Sequence, residues 1–171
     1  QFVVNYEEGG ENNILHGDAA SEAFLSELVG ADPWPGQRHM SMESIYEYGS
    51  RVGIWRLLEL FDGHDVKTTV FTPGRICELY PKAVAAVTRS GHEVADHMWE
   101  HQVPKDLQLE ADHLRKSTLA LETTAGTRPV GTRSWHSQSL LVEEGYIYNS
   151  HGTAHHLPYY VRDRDGENCL L

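Results

Sequence analysis

Two imidazoles, His97 and His101, stand four residues apart in the run His97-Met98-Trp99-Glu100-His101. On a helical turn that spacing places both rings on one face, where each can reach a single cation at about 2.0–2.1 Å. A borderline divalent ion accepts a carboxylate beside two imidazoles. Glu7 and Glu8, adjacent at the end of an apolar run, are the natural donors. Two neighbouring carboxylates suit a division of labour: one holds the ion, while the other takes a proton from the water that becomes the nucleophile. Glu7 is the expected ligand and Glu8 the expected base, although the sequence leaves the order of the two open. The expected cation is zinc, with manganese, cobalt and nickel accepted by the same donor set.

Other reactive groups fall where such a centre needs them. The guanidinium of Arg133 is expected to fix the base carboxylate or hold a substrate oxygen. His136 is the expected proton donor to a leaving nitrogen, and Trp135 a substrate wall. Tyr6, Trp99 and His151 complete the expected substrate-binding set. His155 and His156, in a segment rich in Asn, Ser and Gly, read as a solvated loop. Cys77 lies among helical apolar positions with no nearby base, which reads as core. Neither a glycine-rich phosphate loop nor a Gly-x-Ser-x-Gly elbow occurs.

The elements that must carry these groups alternate in type. Phe2-Val3-Val4 reads as a buried strand that breaks into Asn5-Tyr6-Glu7-Glu8-Gly9-Gly10. Residues 11–40 have weak periodicity and hold Pro33 and Pro35, the mark of a long covering excursion. From Glu43, Ile45, Tyr48, Val52, Trp55 and Leu58 recur at steps of three and four, predicting one amphipathic helix closed by Gly63. Strands are predicted over 67–72, 92–95, 130–133 and 146–149, and helices over 81–90, 106–124 and 139–144. Strands alternating with helices imply a parallel sheet whose ligand site lies at the strands' carboxyl ends. The segments that follow the predicted strands are those that carry Glu7, Glu8, His97, His101, Arg133 and His151, so the topology gathers them without reference to any motif.

Bulk properties narrow the function classes. The chain has 171 residues and a net charge of −11, which disfavours a nucleic-acid backbone or an anionic membrane as partner. No apolar stretch approaches the roughly 18 residues of a membrane span. Two cysteines far apart fit a reducing, cytoplasmic setting rather than a disulfide framework.

With those residues in hand, the chain resembles the polysaccharide deacetylase superfamily. Asn5-Tyr6-Glu7-Glu8-Gly9 is similar to that family's first motif, Thr-Phe-Asp-Asp-Gly. His97 and His101 match its His-Ser-x-x-His, with Met98 in place of the serine. Thr132-Arg133-Ser134-Trp135 is similar to its arginine motif without the proline. Asn5 to Glu11, His16-Gly17-Asp18 and Ser44 to Gly53 resemble most the branch of cofactor-independent allantoinases and cyclic imide hydrolases. Both histidines are present here, which resembles the metal-using members. The resemblance implies an α/β fold, a distorted (β/α) barrel of fewer than eight strands. It also implies a single catalytic domain over residues 1–171, corresponding to the N-terminal part of a longer family domain. The expected activity is metal-dependent hydrolysis of a non-peptide C–N bond in a small-molecule cyclic amide, imide or ureide. N-deacetylation of an acetylated polysaccharide, or non-catalytic ligand binding by a degenerate relative, are the alternatives. Open strand edges would call for cover by a partner chain or by a further segment of the longer family domain, and a homo-oligomer is expected.

Overall fold

A computed structural model describes residues 2–24, 26, 28–162, 166 and 168–170, the last three by their backbone alone. In chain order the elements are β1 (Phe2–Asn5), β2 (Ala20–Ser21), β3 (Trp34–Pro35), α1 (Met40–Tyr48), α2 (Ile54–Gly63) and β4 (Thr68–Thr72). They continue with α3 (Ile76–Leu79), α4 (Pro81–Arg89), β5 (Glu93–Asp96), α5 (Leu107–Ala125) and β6 (Gly131–Thr132). The last are α6 (Gln138–Glu143), β7 (Tyr148–Asn149), β8 (Tyr160–Arg162) and β9 (Asn168–Leu170).

The main sheet has the order β1-β4-β5-β6-β7-β9-β8, and only the β8–β9 pairing is antiparallel. The expected α/β architecture is therefore present. Among the described residues β1 and β8 each have one neighbour, so the sheet is open along both edges. Parallel pairing brings the carboxyl ends of β1, β4, β5, β6 and β7 to one side, where the reactive segments emerge.

The core explains the pattern. β4 is buried along its whole length, as expected for a strand covered on both faces. Val70, Ile76, Val84, Val87 and Leu121 pack into one cluster with Ile54 and Leu58 of α2. Asp106 caps α5 by accepting hydrogen bonds from the amides of Gln108 and Leu109, both at 3.0 Å. Gly126, in the left-handed region at φ 79°, ends that helix. Leu114 and Leu121, one heptad apart, are both fully buried on its inner face.

Two local expectations are corrected. β1 was expected to be buried, but Phe2 and Val3 are 59% and 52% exposed, because β1 occupies an edge. The helix predicted from Glu43 to Gly63 begins earlier, at Met40, and is interrupted by a π-helical turn over Gly49–Gly53. Glycines at both ends of that turn lower the helical preference there, and the wider turn rotates Ser50 inward, where it is 2% exposed. The excursion after Glu11 is ordered by its own bonds: a 3-10 turn over Ile14–His16 and the antiparallel β2–β3 pair. Cys77 is buried, and burial pushes its thiol up to about 11, in keeping with a core role. The side chain of Cys169 and residue Leu171 lie outside the described residues.

Candidate metal centre

The segment carrying the two histidines is an open loop rather than the helical turn expected from their spacing. Met98 has φ 66° and is fully buried, an uncommon conformation for a residue with a Cβ that persists only when its surroundings enforce it. They do. Asp96, fully buried at the end of β5, accepts hydrogen bonds from the Met98 amide at 3.1 Å, from Thr132 Oγ1 at 3.3 Å and from Ser117 Oγ. The Met98 carbonyl accepts from the Gly74 amide at 2.8 Å and lies 2.9 Å from Ser117 Oγ, whose single hydrogen is shared between it and Asp96. Gly74 is required at that approach, since a Cβ there would lie 2.7 Å from Ser117 Oγ. Burial drives the Asp96 carboxyl upward, and its three donors resist that shift.

The loop presents the two imidazoles with ring centroids 5.1 Å apart and planes at 63°. The His97 amide donates to Thr72 O at 3.1 Å and the His101 amide to Gly10 O at 2.8 Å, tying the loop to the neighbouring segments. His97 Nδ1 lies 2.6 Å from the carbonyl oxygen of Arg133. A carbonyl only accepts, so Nδ1 carries a hydrogen and Nε2 is the ring nitrogen left to face outward. That nitrogen faces Glu7 Oε1 at 3.3 Å.

Glu7, His97 and His101 offer ligand atoms that all lie within 4.8 Å of one another. The donor chemistry suits a divalent cation. The His97 hydrogen bond, above all, holds the Glu7 carboxyl below the usual range, so it is an anion. Burial lowers the His101 pKa, which favours a neutral ring with a free lone pair. His101 Nε2 is buried without a hydrogen-bond partner. Three electron-pair donors turned toward one another, with one orphaned, are mutually repulsive unless a cation or a proton lies among them.

Glu8 is outside this group. Its Oε2 accepts from Ser50 Oγ, which itself accepts from the buried Tyr6 hydroxyl at 2.9 Å. Burial raises the Glu8 carboxyl, partly offset by Ser50 and Tyr80. Glu7 and Glu8 nonetheless border one cavity of about 240 Å³, with Met42 and Tyr46 on its far lining. Of the two registers left open by the sequence, the structure brings Glu7 rather than Glu8 to the histidines.

The remaining expected site residues are placed as follows. Arg133 is exposed, and among the described residues its guanidinium forms no ion pair, so the expected clamp on a base carboxylate is not made. The residue acts here through its backbone carbonyl. His136 is 3% exposed, and burial pulls it down to about 4, against the charge of Glu110 on α5. Burial thus favours the neutral ring, whose two nitrogens are buried without a hydrogen-bond partner. Trp99 is 4% exposed, with Lys116 Nζ 3.4 Å and Arg75 Cζ 5.8 Å from its ring, so it is a packing residue. Tyr6 belongs to the core cluster. Trp135 and His151 do meet, edge to face at 6.0 Å. Trp135 also lines a cavity of about 330 Å³ together with His101.

Several contributing residues escaped the sequence reading. Asn12, Glu22, Phe24 and Pro33 line that same cavity from the long excursion, whose length alone marked it as a covering segment. Asp96, Ser117 and Asn149 hold loops in place and carry no motif by which to find them.

Among the described residues no helix is long and apolar enough to cross a membrane. The sequence pattern of the polysaccharide deacetylase family matches residues 40–134. A Schizosaccharomyces pombe protein assigned to the polysaccharide deacetylases is 39% identical over 140 residues, 80% of this chain and 43% of its own length. A Helicobacter pylori peptidoglycan deacetylase is 33% identical over 128 residues, 69% of this chain and 43% of its own. The crystal structure of PuuE allantoinase superposes with a TM-score of 0.90 at 40% identity, over 99% of this chain and 59% of that one. The chain thus spans less than half the length of these curated relatives and about three fifths of that neighbour. On a match that takes in the histidine loop and the start of the arginine segment, the chain belongs to the polysaccharide deacetylase family.

Proposed function

We propose that this chain carries the centre of a metal-dependent hydrolase of a non-peptide carbon–nitrogen bond, acting on a small cyclic amide, imide or ureide. The observation that supports it most is the convergence of Glu7, His97 and His101 on one point. These three side chains would hold a divalent cation, zinc first among those their chemistry accepts. When bound, the cation supplies Lewis acidity to a substrate carbonyl and to water.

The chain's own residues would do the rest. His97 is oriented through Nδ1 by the Arg133 carbonyl, which keeps Nε2 directed at the shared point. Glu8, whose raised carboxyl is a stronger base than a free glutamate, takes the proton from the attacking water across the cavity it shares with Glu7. The similarity to PuuE allantoinase, over nearly the whole chain, supports a small cyclic substrate.

A second reading, deacetylation of an N-acetylated polysaccharide, is favoured by the relatives named for that activity. The experiment is direct. The full-length protein, stripped with a chelator and reloaded with Zn²⁺, Mn²⁺ or Co²⁺, is assayed on dihydrouracil, succinimide and phthalimide against an acetylated chito-oligosaccharide. Metal-dependent ring opening is the expected result. Acetate release from the oligosaccharide alone would install the second reading.

A further inference from the structure

His97 and His101 face one point but are held in different ways. The His97 ring is oriented by the Arg133 carbonyl through Nδ1. Among the described residues the His101 ring has no such partner, and its buried Nε2 is unpaired. A ligating imidazole is ordinarily steered by a hydrogen bond at its other nitrogen. The direction of the His101 ring must therefore come from the chain on either side of it. Its own amide donates to Gly10 O at 2.8 Å. The two residues before it, Trp99 and Glu100, are both fastened by Arg75.

Arg75 stands immediately before α3, with its side chain 15% exposed, and it meets three other segments. Its amide donates to Trp99 O at 3.3 Å, and its Nη2 donates to a carboxylate oxygen of Glu100. Its Nη1 donates to the carbonyl of His16, in the covering excursion, at 3.4 Å. A Cβ added at Gly9 would lie 3.4 Å from the Arg75 Cβ, so Arg75 also backs the turn whose Gly10 carbonyl receives the His101 amide. The other oxygen of Glu100 lies 3.5 Å from His113 Nε2 on α5. The chain at His101 is thus fixed on both sides by groups that lead back to Arg75. A planar guanidinium carries its donors on a rigid fork and can hold a carboxylate and a carbonyl at once. An ammonium on a flexible stem does not reproduce that geometry.

We infer that Arg75 is the positioning residue for His101: by holding Glu100 and the His16 carbonyl together, it sets the direction from which the imidazole reaches the point shared with Glu7 and His97. The inference rests on the reading of that group as a metal centre, yet one arm of its test needs no metal.

Titration of Zn²⁺ against a competing chelator, in the full-length protein, compares wild type with Arg75→Met, Arg75→Lys, Glu100→Ala and the double variant of Arg75→Met with Glu100→Ala. Arg75→Met should weaken Zn²⁺ by about 10–100-fold, the range for loss of an orienting partner. Arg75→Lys, which keeps the charge and loses the fork, should weaken it severalfold. Because Arg75 acts through Glu100, the double variant should bind within about threefold of Arg75→Met. Lys116→Ala removes the other cation over the Trp99 ring and should stay within about threefold of wild type. The visible absorption of the Co²⁺-loaded protein should shift in Arg75→Met and not in Lys116→Ala. In the metal-free protein, hydrogen exchange at the His101 amide should quicken by about tenfold or more in Arg75→Met. Unchanged Zn²⁺ affinity in Arg75→Met and Arg75→Lys would overturn the inference, as would losses that multiply in the double variant or an unchanged exchange rate. Faster His101 exchange in Arg75→Met, with a wild type that binds no zinc, would leave the positioning role standing and defeat the metal-centre reading instead.

Discussion

His97 Nδ1 donates a 2.6 Å hydrogen bond to the backbone carbonyl of Arg133, so a side chain central to the metal group is steered by the main chain of a residue noticed for its guanidinium. The consequence separates two variants. Arg133→Ala keeps the carbonyl and should leave Zn²⁺ affinity within about threefold by calorimetry. Arg133→Pro removes the amide that donates to Asp96 O at 2.9 Å and displaces the carbonyl with it. It should weaken Zn²⁺ by about 10–100-fold, the usual cost of losing such an orienting partner.

Glu7→Ala and Glu8→Ala should part company in the same titration. Only Glu7 shares the 4.8 Å group with the histidines. Glu7→Ala is expected to lose Zn²⁺ binding by two orders of magnitude or more, while Glu8→Ala binds Zn²⁺ and loses turnover about 10²–10⁴-fold, the range for general-base removal. Loss of metal in Glu8→Ala would reverse the two assignments.

Gly10 marks a close approach. A Cβ built there would lie 2.8 Å from His101 Nε2, 3.0 Å from Pro73 Cγ and 3.1 Å from Glu7 O. Gly10→Ala should therefore push the ring aside and lower Zn²⁺ affinity at least tenfold, with far-UV dichroism unchanged. Unaltered affinity would show that the ring reaches the cation from another direction.

The clamp on the left-handed Met98 turn predicts a stability effect. Ser117 Oγ shares its hydrogen between Asp96 and the Met98 carbonyl, and all three residues are fully buried. Ser117→Ala should cost about 1–3 kcal/mol in denaturant unfolding, with a parallel fall in Zn²⁺ affinity as the loop loosens. A stability loss without any change in metal affinity would uncouple the clamp from the site.

His136 gives the protein an acid sensitivity. Its folded pKa lies near 4, below the ordinary 6.5, chiefly because burial opposes the charged ring. The unfolded state therefore takes up a proton more readily. The stability contributed by the neutral ring is complete above about pH 6.5 and is lost as pH falls toward 4. The full difference is on the order of 3 kcal/mol at about 1.36 kcal/mol per pH unit. His136→Leu removes two ring nitrogens that have no partner. It should flatten the decline of unfolding free energy between pH 6.5 and 4 relative to wild type. Identical slopes would place the acid sensitivity elsewhere.

The sequence made the rhythm of strand and helix legible because hydrophobic spacing records burial. It marked Glu7, His97 and His101 because ligand chemistry restricts residue type. It failed where geometry departs from spacing. The separation of His97 and His101 suggests a helix, yet Met98 in the left-handed region bends the segment into a loop. Nothing in Arg133 as a letter shows that its carbonyl matters more than its charge. Trp99 and Trp135 look alike in the chain, but one is 4% exposed beneath cations and the other 55% exposed over a cavity. Only packing against α5 distinguishes them. Asn149 and Glu22 were invisible because a side chain that fastens a loop is defined by its partners, which come from distant parts of the chain.

The π-helical turn at Gly49–Gly53 behaves as a phase shift between two otherwise regular helices. Taking one residue out of it would let α1 and α2 run on as a single α-helix, and each position on one side would rotate by about 100° relative to the other. Ser50 would then swing away from both Glu8 and Tyr6. Losing a single codon in that turn would thus retune the basicity of Glu8 while leaving Glu7, His97 and His101 untouched in sequence.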